Sequence, residues 1–436
     1  MRGSKIFRIL WKKRLVVTVA IALLSLGGIA HADVFDLGPG LTNLETVFVG
    51  EPGNLPHPSA GYGTVAYTYE IGKYEVTSAQ YVDFLNNKAQ VSDPYGLYNP
   101  DMEGEESSNI VRAGFGPYTY SVAPDYANRP VVHVSFWDAA RFANWLHNGQ
   151  GASDTETGSY TLDGYSGDDP TMIQRHPVAT WVVPTEDEWV KAGHYRKDGY
   201  PDDDLYWLYG TDNSGNPSNR IEPGDAIGNN ANFWGPDDNN RYTIGPPYYR
   251  TEVGAFSGPP ITDSPYGLYD VSGNVQEWTE TIASASSLQV RGGSFASQRD
   301  AIRRADWMAV PPNEEAVLVT DGHFLPHYAT TGFRVATVDP GSFFYPGDLN
   351  ESGYVDDDDL QIVKNFWGQT VTPGDPLQGD PSGDGFGGLD DADIVRSDWH
   401  RGIPPGGASS VPEPSSLAML ALSGLAVLVL RRRHRV

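Results

Sequence analysis

Between Thr64 and Val76 apolar and polar side chains alternate, with Val65, Tyr67, Tyr69 and Ile71 on one face, and this period predicts a strand pair. At Thr77 the period changes. Thr77-Ser78-Ala79-Gln80 reads as a capping box, in which the threonine hydroxyl accepts from an amide three residues on and the glutamine reaches back. Tyr81, Phe84 and Leu85 then recur at helical spacing. A second helix begins near Ser135 and turns Ala139, Phe142, Ala143 and Leu146 inward, and a third follows Pro184, where Thr185 and Glu188 form another capping box. From there to residue 290 Gly, Pro, Asn and Asp break every period, which predicts short antiparallel strands and ordered loops. Residues 33–340 therefore read as one α+β domain with little regular secondary structure.

Residues 341–402 have a different texture. Asp358-Asp359-Leu360-Gln361-Ile362-Val363 recurs 32 residues later as Asp390-Asp391-Ala392-Asp393-Ile394-Val395, and a loop rich in Asp and Gly precedes each copy. Trp367 and Trp399 repeat at the same interval.

The two ends are segregated by charge. Residues 1–32 carry a basic stretch from Arg2 to Arg14, an apolar run from Leu15 to Ile29, and Ala30-His31-Ala32, the pattern of a secretory signal peptide. An uncleaved anchor is the alternative, although the run is short for a span. Residues 403–436 open on a Pro/Gly/Ser linker, followed by Val411-Pro412-Glu413-Pro414, an apolar segment from Leu417 to Leu430, and Arg431-Arg432-Arg433. This end resembles a PEP-CTERM sorting signal. The resemblance implies an exosortase-type processing enzyme and a C-terminal membrane anchor with the basic stop inside, so the body lies in the cell envelope or beyond.

Because both ends are basic, the formal net charge of −26 understates the acidity of the body between them. Such a body repels nucleic acid and suits cations. There is no cysteine. No disulfide can staple the loops and no thiolate can serve as ligand or nucleophile, which leaves calcium as the expected ordering device.

Several blocks of the large domain resemble the formylglycine-generating-enzyme, or sulfatase-modifying-factor, family. They are Ile71-Gly72-Lys73-Tyr74-Glu75-Val76-Thr77, Pro130-Val131-Val132-His133-Val134-Ser135, Pro184-Thr185-Glu186, Arg291-Gly292-Gly293-Ser294-Phe295 and Gly332-Phe333-Arg334, with the longest running from Tyr266 to Trp278. The resemblance implies a C-type-lectin-like fold. Oxidising members of that family bind copper through two cysteines, whose positions fall here at Ser297 and Ile302. Neither is a thiolate, so no copper is expected and formylglycine generation is excluded. Ser297 as a nucleophile lacks a histidine nearby in sequence. His323 and His327 flank Pro326 beside Asp321, which reads as ordinary loop histidines rather than a helical ligand pair.

By the same resemblance, structural calcium is expected at Asp270, Gly273, Val275 and Glu277, two carboxylates and two backbone carbonyls. A second family site falls at Asn232 and Phe233, but its downstream aspartate is replaced by Gly245. In the repeat module, Asp348, Asn350, Ser352, Tyr354, Asp356 and Asp359 match positions 1, 3, 5, 7, 9 and 12 of an EF-hand-like loop, with Gly353 at the sharp turn. Asp380, Ser382, Asp384, Phe386 and Asp391 repeat the set around Gly385. The paired loops, each leading into a short helix, resemble a dockerin and imply a cohesin-like partner, an envelope glycan being the other candidate.

The expected function is that of an exported, surface-associated, non-catalytic binding protein stabilised by calcium. The alternative is a divergent metal-dependent oxidoreductase of the formylglycine-generating or nonheme-iron type. Convergent ligands around Ser297, Arg303, Arg304 and Trp307 would favour the enzyme.

Overall fold

The computed structural model describes residues 41–176, 178–197, 205–221, 228–235, 241–258, 261–315, 329–339, 347, 349, 355–372, 376–382 and 384–397. Strand β1 (Thr46–Val49) pairs antiparallel with β2 (Tyr69–Gly72), Val47 facing Ile71. The alternation at Thr64–Val76 thus yields one strand of four residues rather than a pair. Upstream of Tyr69 the backbone is claimed by other partners. The Val65 amide donates to Asn54 Oδ1 at 3.1 Å, and the Val65 carbonyl accepts from the Gly53 amide at 2.8 Å. The buried Lys191 ammonium donates to the carbonyl of Glu51 at 2.8 Å and clasps the same strap.

All three anticipated helices form with reciprocal capping boxes. Helix α1 (Ser78–Lys88) is capped by Thr77 and Gln80 and buries Tyr81, Val82, Phe84 and Leu85. The hairpin β3 (Ile110–Ala113) and β4 (Thr119–Val122) follows. Helix α2 (Phe136–His147), capped by Ser135 and Asp138, is buried along every position from Phe136 to Leu146, so it is a core helix rather than an amphipathic one. Its polar residues survive burial because they are paired. Arg141 forks onto both oxygens of Glu156 at 2.7 and 3.1 Å, and Asn144 exchanges hydrogen bonds with the backbone of Tyr160. Strand β5 (Trp181–Val182) leads to α3 (Glu186–His194), capped by Thr185 and Glu188.

The chain returns to regular structure at β6 (Gln276–Ser284), β7 (Ser287–Arg291) and β8 (Trp307–Val310), then closes with β9 (Thr331–Gly332) and β10 (Ala336–Thr337). Two sheets result, in the orders β1-β2-β10-β5 and β8-β7-β6-β9. Among these strands only β6 and β9 run parallel, with Glu277 opposite Gly332. Trp137, Trp145, Trp189 and Trp278 are fully buried in the core. The second module contributes α4 (Asp357–Asn365) and α5 (Leu389–Ser397), which pack Val363, Ala392 and Val395 with Leu349 and Val355. Among the described residues no helix is long and apolar enough to cross a membrane.

Candidate functional site

Three places bear on chemistry. The first is the turn into β6. Asp270, Gly273 and Asn274 all have positive φ, and at Gly273 a side chain would collide with the backbone carbonyl of Asn232. This close approach lets the Asn274 amide donate to the Asn232 carbonyl at 2.8 Å, joining two of the expected calcium loops. Asn232 Nδ2 donates to the Tyr249 carbonyl and to Asn274 Oδ1, both at 3.0 Å, while its own Oδ1 is buried without a hydrogen-bond partner among the described residues. The Phe233 carbonyl accepts from Asn219 Nδ2 at 3.1 Å.

Glu277 is occupied otherwise. Arg334 forks onto its two oxygens, and Trp189 Nε1 donates to Oε2 at 2.8 Å. Arg334 also donates to the carbonyls of Gly72 and Tyr269 at 2.8 and 3.1 Å. A carboxylate whose charge is met by a guanidinium does not fit a divalent cation, so the Glu277 side chain is a poor ligand in this arrangement. Asp270, whose Oδ2 accepts from the Gly254 amide at 2.6 Å, and the carbonyls of Gly273 and Val275 are the donors that fit. Burial pushes the Asp270 carboxyl up to about 6 against the Gly254 hydrogen bond and Arg334. Burial, then Asp270 and Glu277, drive the Glu75 carboxyl well above the ordinary range, although it accepts from Asn274 Nδ2 at 2.7 Å.

The second place surrounds Ser297 and Ile302, the positions expected to match the family's thiolates. Ser297 is buried, and its Oγ accepts from the Ser294 amide at 2.9 Å within a tight turn. Ile302 packs with Tyr209, Ala231 and Phe233, and its methyl group would meet any side chain added at Gly293. Arg303 Nε donates to the Tyr209 hydroxyl at 3.2 Å, Arg304 Nη2 lies 2.7 Å from His57 Nε2, and Trp307 is half exposed. Asp321, His323 and His327 lie outside the described residues.

The third place is the second acidic loop. Asp380, Asp384 and Asp391 bring carboxylate oxygens within 4.8 Å of one another, and among the described residues no other three or more His, Asp or Glu groups converge so closely. Asp380 and Asp391 are fully buried. The loop amides wrap them. Gly385 donates to Asp380 Oδ2 at 2.8 Å, Gly388 to Asp391 Oδ2 at 2.6 Å, and Ser382 Oγ to Asp380 Oδ1 at 3.0 Å. Phe386 donates its amide to Asp384 Oδ1 at 2.8 Å. Three clustered hard oxygens fit calcium. In the first loop the Asp356 amide donates to Asp359 Oδ2 at 2.9 Å, the same contact as Gly388 to Asp391, while Asp348, Asn350, Ser352 and Tyr354 lie outside the described residues.

A model of the sulfatase-modifying factor enzyme 1-like domain matches residues 51–319, more than half of the chain. The chain belongs to this family. Its fold is the family's, mixed helix and strand with low regular secondary structure. Among solved structures of similar proteins, Treponema denticola variable protein 1 is 18% identical, with 68% of this chain and 95% of that chain covered and a TM-score of 0.35. CarF is 19% identical, with 68% and 99% covered and a TM-score of 0.40. PvdO from Pseudomonas aeruginosa is 17% identical, with 67% and 91% covered and a TM-score of 0.33. No curated protein matches the chain. Residues 410–433 match the PEP-CTERM protein-sorting motif, which marks this family member for export, exosortase-type processing and the cell envelope.

The motif residues Glu75 and Arg334 were visible in the sequence without a role. The convergence of Trp189 and Arg334 on Glu277 has no local signal, since Arg334 is 57 residues away and Trp189 is 88.

Proposed function

We propose that this family member is a surface-associated, non-catalytic binding protein whose lectin-like domain and dockerin-like pair of loops are ordered by calcium. The observation that carries the reading is the fate of the two thiolate positions. Ser297 is spent on a serine turn and Ile302 on an apolar cluster, so no soft ligand pair is available for Cu(I). The Asp380, Asp384 and Asp391 cluster supports calcium as the resident ion, held by carboxylates whose mutual repulsion it would relieve. Asp270 with the Gly273 and Val275 carbonyls, and Asn232 with Phe233, are the candidate ligands in the large domain. A cohesin-like protein or an envelope glycan is the partner this architecture suits.

Metal analysis of the purified full chain tests the reading. Calcium at one or more equivalents, removable by chelation and restored on dialysis, is expected. Stoichiometric copper or iron would overturn it.

A further inference from the structure

The large domain also buries positive charge. Arg250 is 1% exposed, and only its Nη2 is engaged, donating to the Ser107 carbonyl. Nε and Nη1, with three N–H donors between them, find no hydrogen-bond partner among the described residues. No carboxylate forms an ion pair with it there. The one carboxylate that acts on it is Glu75, whose oxygens already accept from Asn274 Nδ2 and the Val275 amide, and the adjacent Arg129 is repulsive. A buried cation without a counter-charge is among the costliest arrangements a fold can keep.

Two further orphans belong to residues tied to it: Ser107, whose carbonyl takes the Arg250 hydrogen bond, and His133, on which the Arg250 charge acts. Ser107 Oγ and His133 Nδ1 are both buried without a partner among the described residues, at 7% and 5% exposure. The segments are locked together. The Val132 amide donates to Ser108 Oγ at 2.9 Å and Ser108 Oγ to the Val132 carbonyl at 3.2 Å, which brings the neighbouring residues Ser107 and His133 to the same region. His133 holds a φ of 61°, a left-handed conformation that a non-glycine residue adopts at a cost. Burial, with Arg250 adding to it and Asp101 opposing, pulls the His133 imidazole down to about 4, so the ring is neutral and can offer an N–H.

We propose that Arg250, Ser107 and His133 form a buried seat for one small carboxylate-type oxyanion, of formate or bicarbonate size. The guanidinium supplies the charge and most of the donors, and the hydroxyl and imidazole complete the shell. Near-complete burial of all three side chains limits the occupant to a few atoms. The seat is independent of the calcium reading, since none of its residues belongs to a calcium loop.

Thermal unfolding of the purified full chain, in sodium formate against sodium gluconate and sodium chloride at equal ionic strength, tests the assignment. Gluconate carries the same carboxylate on a body too large to enter. Formate should raise the Tm with the logarithm of its concentration beyond half-saturation. Ser107→Ala should raise the half-saturating formate concentration about ten-fold, through loss of one hydrogen bond to a charged group, and Arg250→Met should abolish the response. If Arg250→Met does not fold, the His133 imidazole resonance of the unaltered chain decides, because formate should shift it saturably. Equal melting in formate and gluconate with an unmoved His133 resonance would show that water meets these donors. A chloride response matching formate would make the seat a halide site and overturn the oxyanion assignment.

Discussion

Glu277 and Arg334 meet as a two-pronged ion pair, with Oε2 2.5 Å from Nε and Oε1 2.6 Å from Nη2, and neither side chain is exposed. Glu277 sits on β6 and Arg334 between β9 and β10, so the pair bolts one sheet to the other. Removing one partner of such a pair leaves the other charge buried and unmet, at a cost of about 3–5 kcal/mol. Glu277→Gln should lower stability by that amount in chemical denaturation. The loss should be the same with calcium and with chelator, because the carboxylate serves Arg334 rather than a metal. A loss that disappears on chelation would return Glu277 to the calcium site.

Formylglycine generation should be absent. With Ser297 and Ile302 in the thiolate positions, a cysteine-containing sulfatase peptide incubated with the protein, copper and oxygen should keep its mass in mass spectrometry. Conversion of the cysteine to an aldehyde would refute the exclusion.

Acid should weaken the domain through His194. The ring is buried at the end of α3, with Nδ1 3.1 Å from the Trp207 carbonyl, and burial, then Arg304, holds it down to about 3. The unfolded chain takes up a proton near pH 6.5 that the folded state refuses. Stability from this group is therefore full above pH 6.5 and is lost as pH falls toward the folded value. At pH 5 the loss should be about 2 kcal/mol. His194→Asn, whose side-chain amide falls where Nδ1 lies and keeps an N–H for the Trp207 carbonyl, should show a smaller decline between pH 7 and pH 5. Parallel curves for the two proteins would remove His194 as the cause.

The sorting motif at residues 410–433 makes a cellular prediction. Deleting Val411 to Val436 should release the protein into the medium, read by immunoblot of cells and supernatant. Equal retention of the truncated chain would show that this end is not the anchor.

Two helix starts were legible because a capping box is written within four residues, at Thr77 and Thr185, and the third, at Ser135, from apolar spacing alone. Sheet partners were not. Ile71 pairs with both Val47 and Ala336, and nothing in a local window specifies a partner so far along the chain. The alternation at Val65 and Tyr67 misled for a related reason. Tyr67 turns inward to give its hydroxyl to Glu188 at 2.6 Å, while the backbone beside it bonds to a strap instead of a strand. The convergence of carboxylates in the second acidic loop was legible because they lie within twelve residues, whereas the Arg250 cluster gathers Ser107 and His133 from separate segments. A lone arginine after two tyrosines carries no warning that it will be buried.

Strand β10 lies between β2 and β5, and Arg334 reaches the Gly72 carbonyl laid down 262 residues earlier. The first sheet therefore has a gap at its centre until the end of the domain arrives. A chain emerging residue by residue, from a ribosome or through a membrane, can wind its early helices but cannot close this core. For a protein bound for the cell envelope that delay is useful. Until β10 arrives the polypeptide lacks this closed sheet, and that strand acts as the latch. Such long-range closure also makes the final folding step slow, because the loop must be closed before any contact rewards it.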